Sequence, residues 1–179
     1  QELVIAHTSG VNTLSGLATC RAYGLRVEDK EISLNVPDVV KIIAVYESKT
    51  NANPDLPALN FVSGLSLDTN AIIGEKIVGK DSRAIAQIVK KFANSIDFVY
   101  LNANKFTVGE TVEFKESGIE TVLQGTEEGN FIDRTENYTL DKGHKLQYCD
   151  YSKIVRKAKS AIPSKKLLII FDKYQVANG

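Results

Sequence analysis

Ile73-Gly74-Glu75-Lys76-Ile77 recurs as Val108-Gly109-Glu110-Thr111-Val112, and the match runs without a gap from Lys80-Asp81-Ser82 to Lys115-Glu116-Ser117. From 73 to 108 the offset is 35 residues, and it stays constant across the match. A fixed internal period is a statement about architecture before it is one about secondary structure. Each copy reads apolar residue, Gly-Glu, short alternating run, polar turn, second apolar run. In the second copy Val112 and Phe114 share one face while Thr111 and Glu113 share the other, which is strand alternation. Lys115-Glu116-Ser117-Gly118 has hairpin-turn chemistry. Residues 73–82 and 108–117 are therefore read as equivalent hairpins. Gly74 and Gly109 sit at matched turns that call for positive φ.

A competing pattern lies inside the first copy. Ala84, Ile85, Ile88, Val89 and Phe92 also fit one helical face, with Asp81 or Ser82 as N-cap. The second copy opposes helix through Gly118 and the β-branched run after it. If the copies share a fold, Asp81 to Phe92 is strand, and helix is the alternative.

Outward from the repeat, Lys41 to Glu47 (KIIAVYE) is rich in β-branched residues and reads as strand. Thr19 to Val27 and Glu31 to Val36 are further apolar runs. Ser48 to Asn60, with Pro54 and Pro57, reads as a loop and a boundary between subdomains. Asp97 to Leu101 reads as a buried strand and Gly125 to Asn130 as a loop. Lys166 to Tyr174 is the strongest strand signal, too apolar for an exposed edge. Gln1 to Leu17 is a polar lead-in whose partner strand is expected outside this sequence. The expected fold is mainly β, with little helix: an antiparallel β-sandwich or small β-barrel subdomains built around the hairpin repeat. The expected organisation is an N-terminal β segment at 1–50, a Pro/Asn loop at 51–60 and a β-rich region at 61–179.

The 179 residues are 43% hydrophobic and 25% charged, an ordinary globular mix that excludes a disordered tail or a coiled coil. Such a chain buries roughly 70% of its unfolded surface. Twenty-two basic residues balance twenty-two acidic ones, so charge points to no nucleic acid and no anionic membrane. No apolar stretch reaches membrane-spanning length, so no membrane insertion is expected. Met and Trp are absent, and the sequence reads as a mature product or a piece of a longer polypeptide. Cys20 and Cys149 are too few for a disulfide scaffold and read as reduced thiols.

Candidate chemistry is thin. His144, Cys149 and Asp150 lie close in sequence, but no Gly-rich oxyanion turn adjoins them, and coincidence is the better reading. His7 reads as a surface histidine. Two cysteines and two histidines lack zinc-ligand spacing. Asp141, Asp150 and Asp172 could offer oxygen to calcium, but no loop has the required pattern, and turn capping explains them better. The Gly-Glu pairs are not phosphate loops. Lys153 to Lys159 (KIVRKAK) reads as a solvated basic face. Tyr138, Tyr148, Tyr151 and Tyr174 crowd the C-terminal part; core positions are the first reading, an interface the second and a sugar platform the third. No catalytic residue, cofactor or metal is therefore expected.

One string carries a resemblance. Tyr138-Thr139-Leu140-Asp141-Lys142-Gly143-His144, then Tyr148-Cys149-Asp150-Tyr151 and Ile154-Val155, followed by Pro163 and Phe171-Asp172-Lys173-Tyr174, is similar to a pattern of large virion structural proteins. These belong to contractile-tailed phages, especially those of marine cyanobacteria. Val108-Gly109-Glu110-Thr111-Val112 and Asp38 to Ser48 also resemble stretches of those chains. Lys142, His144 and Cys149 depart from the usual Asn, Gln and Tyr, while Asp141, Gly143 and Asp150 are in place. The resemblance touches about half of the chain. It implies a structural or interaction domain of a tail, baseplate or fibre-associated protein, located in the virion and partnered by other virion proteins. The implied structural motif is Gly74, Gly109, Leu140, Asp141, Gly143, Tyr148, Asp150, Tyr151, Phe171, Asp172 and Tyr174. A carbohydrate-binding module for a host-surface glycan is the alternative, and a glycan-degrading enzyme ranks behind both.

Overall fold

The computed structural model describes residues 2–5, 26–145, 148–149 and 151–174. In chain order the strands are β1 (Glu2–Ile5), β2 (Glu31–Ser33), β3 (Val39–Ser48), β4 (Ala58–Phe61), β5 (Lys76–Gly79), β6 (Ile85–Lys91), β7 (Ser95–Tyr100) and β8 (Thr111–Phe114). They continue with β9 (Glu120–Glu127), β10 (Phe131–Asp133), β11 (Tyr138–Asp141), β12 (His144–Lys145), β13 (Tyr148–Cys149), β14 (Lys153–Arg156) and β15 (Leu167–Lys173). Helix is confined to one turn, α1 (Leu67–Asn70), and a 3-10 turn at Thr135–Asn137. The fold is mainly antiparallel β, as the alternation and turn chemistry require.

The chain divides into two compact units, one formed by 1–54 with 131–179 and the other by 55–130. The first junction lies inside the Pro/Asn loop. The second corrects the reading of 61–179 as one region. Phe131–Asp133 pairs with Tyr46–Ser48 of β3, so the chain returns to its first unit at residue 131. The lead-in is corrected too: β1 finds its partner within this chain, with Glu2 opposite Ile170 and Ile5 opposite Leu167. The 51–60 loop is shorter than read, because β4 begins at Ala58, directly after Pro57. The supposed loop at 125–130 is strand as far as Glu127, since Gly125, Thr126 and Glu127 pair with Asn60, Leu59 and Ala58.

In the first unit β15 lies between β1 and β3 in the sheet β1-β15-β3-β10, and β14 lies between β11 and β2 in the other. Five successive residues of β15, Leu167 to Phe171, are buried. This is the interior strand that its apolar run called for. Ile32, Val45, Ile154, Leu167, Ile169 and Phe171 form one core drawn from both sheets.

The second unit is a closed six-stranded barrel, β4-β7-β6-β5-β8-β9. Each strand sends a large apolar side chain inward: Leu59, Ile77, Ile88, Phe98, Phe114 and Leu123 share one core. At roughly 1.5–3 kcal/mol per fully buried side chain, this layer outweighs any local propensity. That decides the helix-or-strand question for Asp81 to Phe92. In β6 the burial alternates, with Ala86 and Ile88 inside, and Gln87 pairs with Val99. Closure leaves no unpaired strand edge in this unit.

Candidate functional site

The repeat is also a structural symmetry. Gly74 and Gly109 have φ of 91° and 94°. Each follows an exposed apolar residue, Ile73 or Val108, at the tip of a tight turn. Ile88 and Leu123, again 35 residues apart, close the two turns in the same way: Gly74 and Gly109 donate to their carbonyls at 2.9 and 2.8 Å. The hairpin ends also correspond, because Arg83 and Gly118 both adopt positive φ.

Across this symmetry the two copies hold one another through their glutamates. Glu110 is 3% exposed, and its carboxylate accepts from the backbone N–H groups of Asp81 (3.2 Å) and Ser82 (3.0 Å) and from the Ser82 hydroxyl (2.8 Å). Glu75 is 2% exposed and does the same to the other copy, accepting from the N–H groups of Glu116 (3.2 Å) and Ser117 (3.0 Å) and from the Ser117 hydroxyl. Each glutamate also fastens its own turn, through Ile72 N–H for Glu75 and Thr107 N–H for Glu110, both at 2.6 Å. Burial pushes the Glu110 carboxyl pKa up, but the hydrogen bonds from Ser82, Thr107 and Asp81 outweigh it and hold the group below the usual carboxylate value. Gly79 makes room for this arrangement: a Cβ there would stand 2.5 Å from the Glu110 carboxylate and 2.5 Å from the Ser82 hydroxyl.

Sequence reading placed Gly74 and Gly109 at equivalent turns but missed the glutamates beside them. A signal was present, since a serine follows each glutamate by seven residues, at Ser82 and Ser117. The reading did not connect them because each glutamate serves the serine of the other copy.

The first unit spends its buried acids in the same way. Glu47, 2% exposed, accepts from Ser164 N–H (2.7 Å), Lys165 N–H (3.2 Å) and Arg134 Nε (2.8 Å). Burial raises its carboxyl pKa, and these three partners bring it below the ordinary value. Asp29, equally buried, accepts from Arg26 N–H and pairs with the Arg26 guanidinium. All four buried carboxylates among the described residues thus hold the backbone in place.

The tyrosine-rich motif falls in the β11-β14-β2 sheet and its turns. Asp141 accepts from Gly143 N–H at 2.9 Å, and Gly143 has φ of 74°, so this aspartate caps a turn as read. Leu140 is packed against the first unit's core, and Phe171 is fully buried in it. Asp172 lies 3.5 Å from Lys41, across the β15–β3 pair. Tyr148 lies in β13, opposite Lys145; the packing proposed for its side chain, and the capping proposed for Asp150, lie outside the described residues.

The tyrosines divide. Tyr138 is buried at 6% exposure, whereas Tyr151 and Tyr174 are 53% and 72% exposed. Core placement of Tyr151 under the last strand is therefore corrected: β14 begins two residues later, and Ser152, fully buried, turns inward instead. The Ser152 hydroxyl donates to Lys142 O and accepts from Val39 N–H, a connecting role that sequence reading did not assign.

The basic face at 153–159 is partly corrected. Lys153 is mostly buried and bonds Glu31 at 2.6 Å, and Arg156 donates to the carbonyls of Glu28 and Asp29. These two basic groups are turned to the strand-edge partners that antiparallel pairing with β2 supplies.

His144 Nε2 lies 3.2 Å from Asp38 Oδ1, both exposed. The proximity of His144 and Cys149 in sequence becomes a β12–β13 cross-strand pair. His7 and Cys20 lie outside the described residues. Among the described residues no group of three or more His, Cys, Asp or Glu is arranged to hold a metal, and no helix is long and apolar enough to cross a membrane. No protein-family model, curated protein or solved structure matches the chain.

Proposed function

We propose that this chain is a structural, protein-contacting domain of a phage virion protein, from a tail, a baseplate or a fibre-associated component. The source of the virion assignment is the resemblance of the Tyr138-to-Tyr174 string. The observation that carries the structural part is the use of the buried acids: Asp29, Glu47, Glu75 and Glu110 each accept from backbone N–H groups. An acid–base site needs a carboxylate presented to a substrate with a tuned proton affinity. Here the buried carboxylates are committed to holding turns. A particle component needs that rigidity together with adhesive surface, and aromatic anchors supply binding energy at interfaces.

A glycan-binding module is the second reading, favoured by the exposure of Tyr151 and Tyr174. An aromatic ring with a polar tip suits the mixed surface of a sugar.

Antibodies raised against the chain and applied to intact particles test the first reading. Decoration of the tail or baseplate in negative stain is expected. Labelling of infected-cell cytosol alone, with bare particles, rejects the virion assignment. A glycan array with the purified chain tests the second: sugar binding lost on Tyr174→Ala and Tyr151→Ala transfers the function to glycan recognition.

A further inference from the structure

The barrel consists of two three-stranded halves, β4-β5-β6 and β7-β8-β9. Inside each half the only strand pairing is the hairpin, β5 with β6 or β8 with β9. The pairings that close the barrel, β4 with β7 and β9, β6 with β7, and β5 with β8, all join one half to the other. The glutamates follow the same rule, since Glu75 caps the hairpin end at 116–117 and Glu110 that at 81–82. Neither half satisfies its own first strand or its own hairpin end, and each presents what the other requires. The covalent link between them is short: Phe92, Ala93 and Asn94 join β6 to β7. All three are exposed, and Phe92 keeps 49% of its surface in water at the apex.

We infer that the halves exchange between two copies of this chain, β7-β8-β9 of each copy completing the barrel on β4-β5-β6 of the other, with Phe92–Asn94 as the hinge. In the exchanged dimer every interstrand bond and both glutamate caps re-form with the same partners, supplied by the second chain. The opposing cost is therefore mainly the association entropy, and concentration shifts the balance. When the hinge straightens, β6 and β7 run as one continuous strand. The two hinges then cross at the dimer axis, which brings the two exposed Phe92 rings together and removes apolar surface from water. Exchange closes on itself at two copies, so it yields a discrete dimer.

The test uses the full chain with Cys20→Ser and Cys149→Ser, carrying either Val78→Cys or Glu113→Cys. Val78 lies opposite Glu113 across β5 and β8, and hence across the two halves. The two proteins are mixed, unfolded in urea, refolded together at high concentration and treated with a short bis-maleimide. The expected product is a cross-linked species of twice the 19.7 kDa chain mass that joins a Val78→Cys chain to a Glu113→Cys chain. Mixing without unfolding should give much less of it. Absence of this product from co-refolded protein overturns the inference. A product within Val78→Cys protein alone overturns it as well, because that reports like halves pairing with like. In a second arm, deletion of Ala93 and Asn94 leaves a hinge too short to turn back, and the main species should change from monomer to dimer in size-exclusion chromatography. A folded deletion variant that remains monomeric contradicts the hinge assignment; if it does not fold, the cross-linking arm decides alone.

Discussion

Replacing Glu110 by Ala should open the barrel where its two halves are fastened. The carboxylate accepts four hydrogen bonds, from the N–H groups of Asp81, Ser82 and Thr107 and from the Ser82 hydroxyl. Hydrogen bonds to a charged acceptor contribute about 1.5–3 kcal/mol each, but they are not additive when one group makes them all. The two shorter backbone bonds, Ser82 at 3.0 Å and Thr107 at 2.6 Å, set the scale. Water entering the vacated space would recover part of the loss, so the expected destabilisation of the barrel is about 3–5 kcal/mol. The two units need not unfold together, so a single global midpoint is a poor measure. Hydrogen exchange read by mass spectrometry or NMR resolves the effect: amides of Asp81, Ser82 and Thr107 should lose protection first. Those of β15 in the other unit serve as the internal reference. Unchanged protection at 81, 82 and 107 would refute the fastening role of the carboxylate.

Acid should weaken the fold through the same groups. Glu110 and Glu47 have folded-state carboxyl pKa values below the unfolded value, so their stabilisation is complete above the unfolded pKa of about 4.3 and drains away as pH falls through the folded values. Urea midpoints from pH 7 down to pH 3 should fall below about pH 4.5, and Glu110→Gln with Glu47→Gln should flatten that slope. Gly79→Ala should destabilise the barrel by about 1–3 kcal/mol, because its Cβ collides with the Glu110 carboxylate. Gly109→Ala meets no atom within 4 Å and should cost only the positive-φ penalty, about 1–2 kcal/mol; equal exchange protection of the Glu110-bonded amides in both variants would contradict the collision. Arg83→Gly should raise the denaturation midpoint slightly, by up to about 1 kcal/mol, since Arg83 has φ of 55° where the other copy has Gly118. Tyr138→Ala should cost about 3–5 kcal/mol in thermal or chemical melts, while Tyr174→Ala should stay within about 0.5 kcal/mol; a large loss at Tyr174 would mean that its exposed ring carries fold stability.

Local chemistry made much of this protein legible before any coordinates. Alternation in Thr111–Phe114, the β-branched run of β3 and the apolar β15 named their own secondary structure, because a strand's two faces are written in consecutive residues. The constant 35-residue offset fixed the equivalence of Gly74 and Gly109, since a backbone that must enter positive φ selects glycine wherever it recurs. It also favoured strand over helix at Asp81 to Phe92, against the helical spacing of Ile85, Ile88 and Phe92. In the candidate interface, the sequence identified the tyrosines but not their exposure, because a ring with a hydroxyl tip suits either side of a surface.

Only the tertiary structure decided which strand meets which. Lys153 bonds Glu31 across 122 residues of chain, β1 pairs with β15, and Phe131 returns to β3 after the whole barrel has intervened. Pairing over such distances is set by the shared core and by barrel closure, and it leaves no periodic trace between the partners. The same holds for Glu75 and Glu110. As residues they are ordinary acids next to turn glycines, of the kind that usually face water. They are buried because each reaches the hairpin end of the other copy, where unpaired N–H groups repay the loss of hydration. The repeat stated that two equal units exist; closing one upon the other gave their glutamates partners.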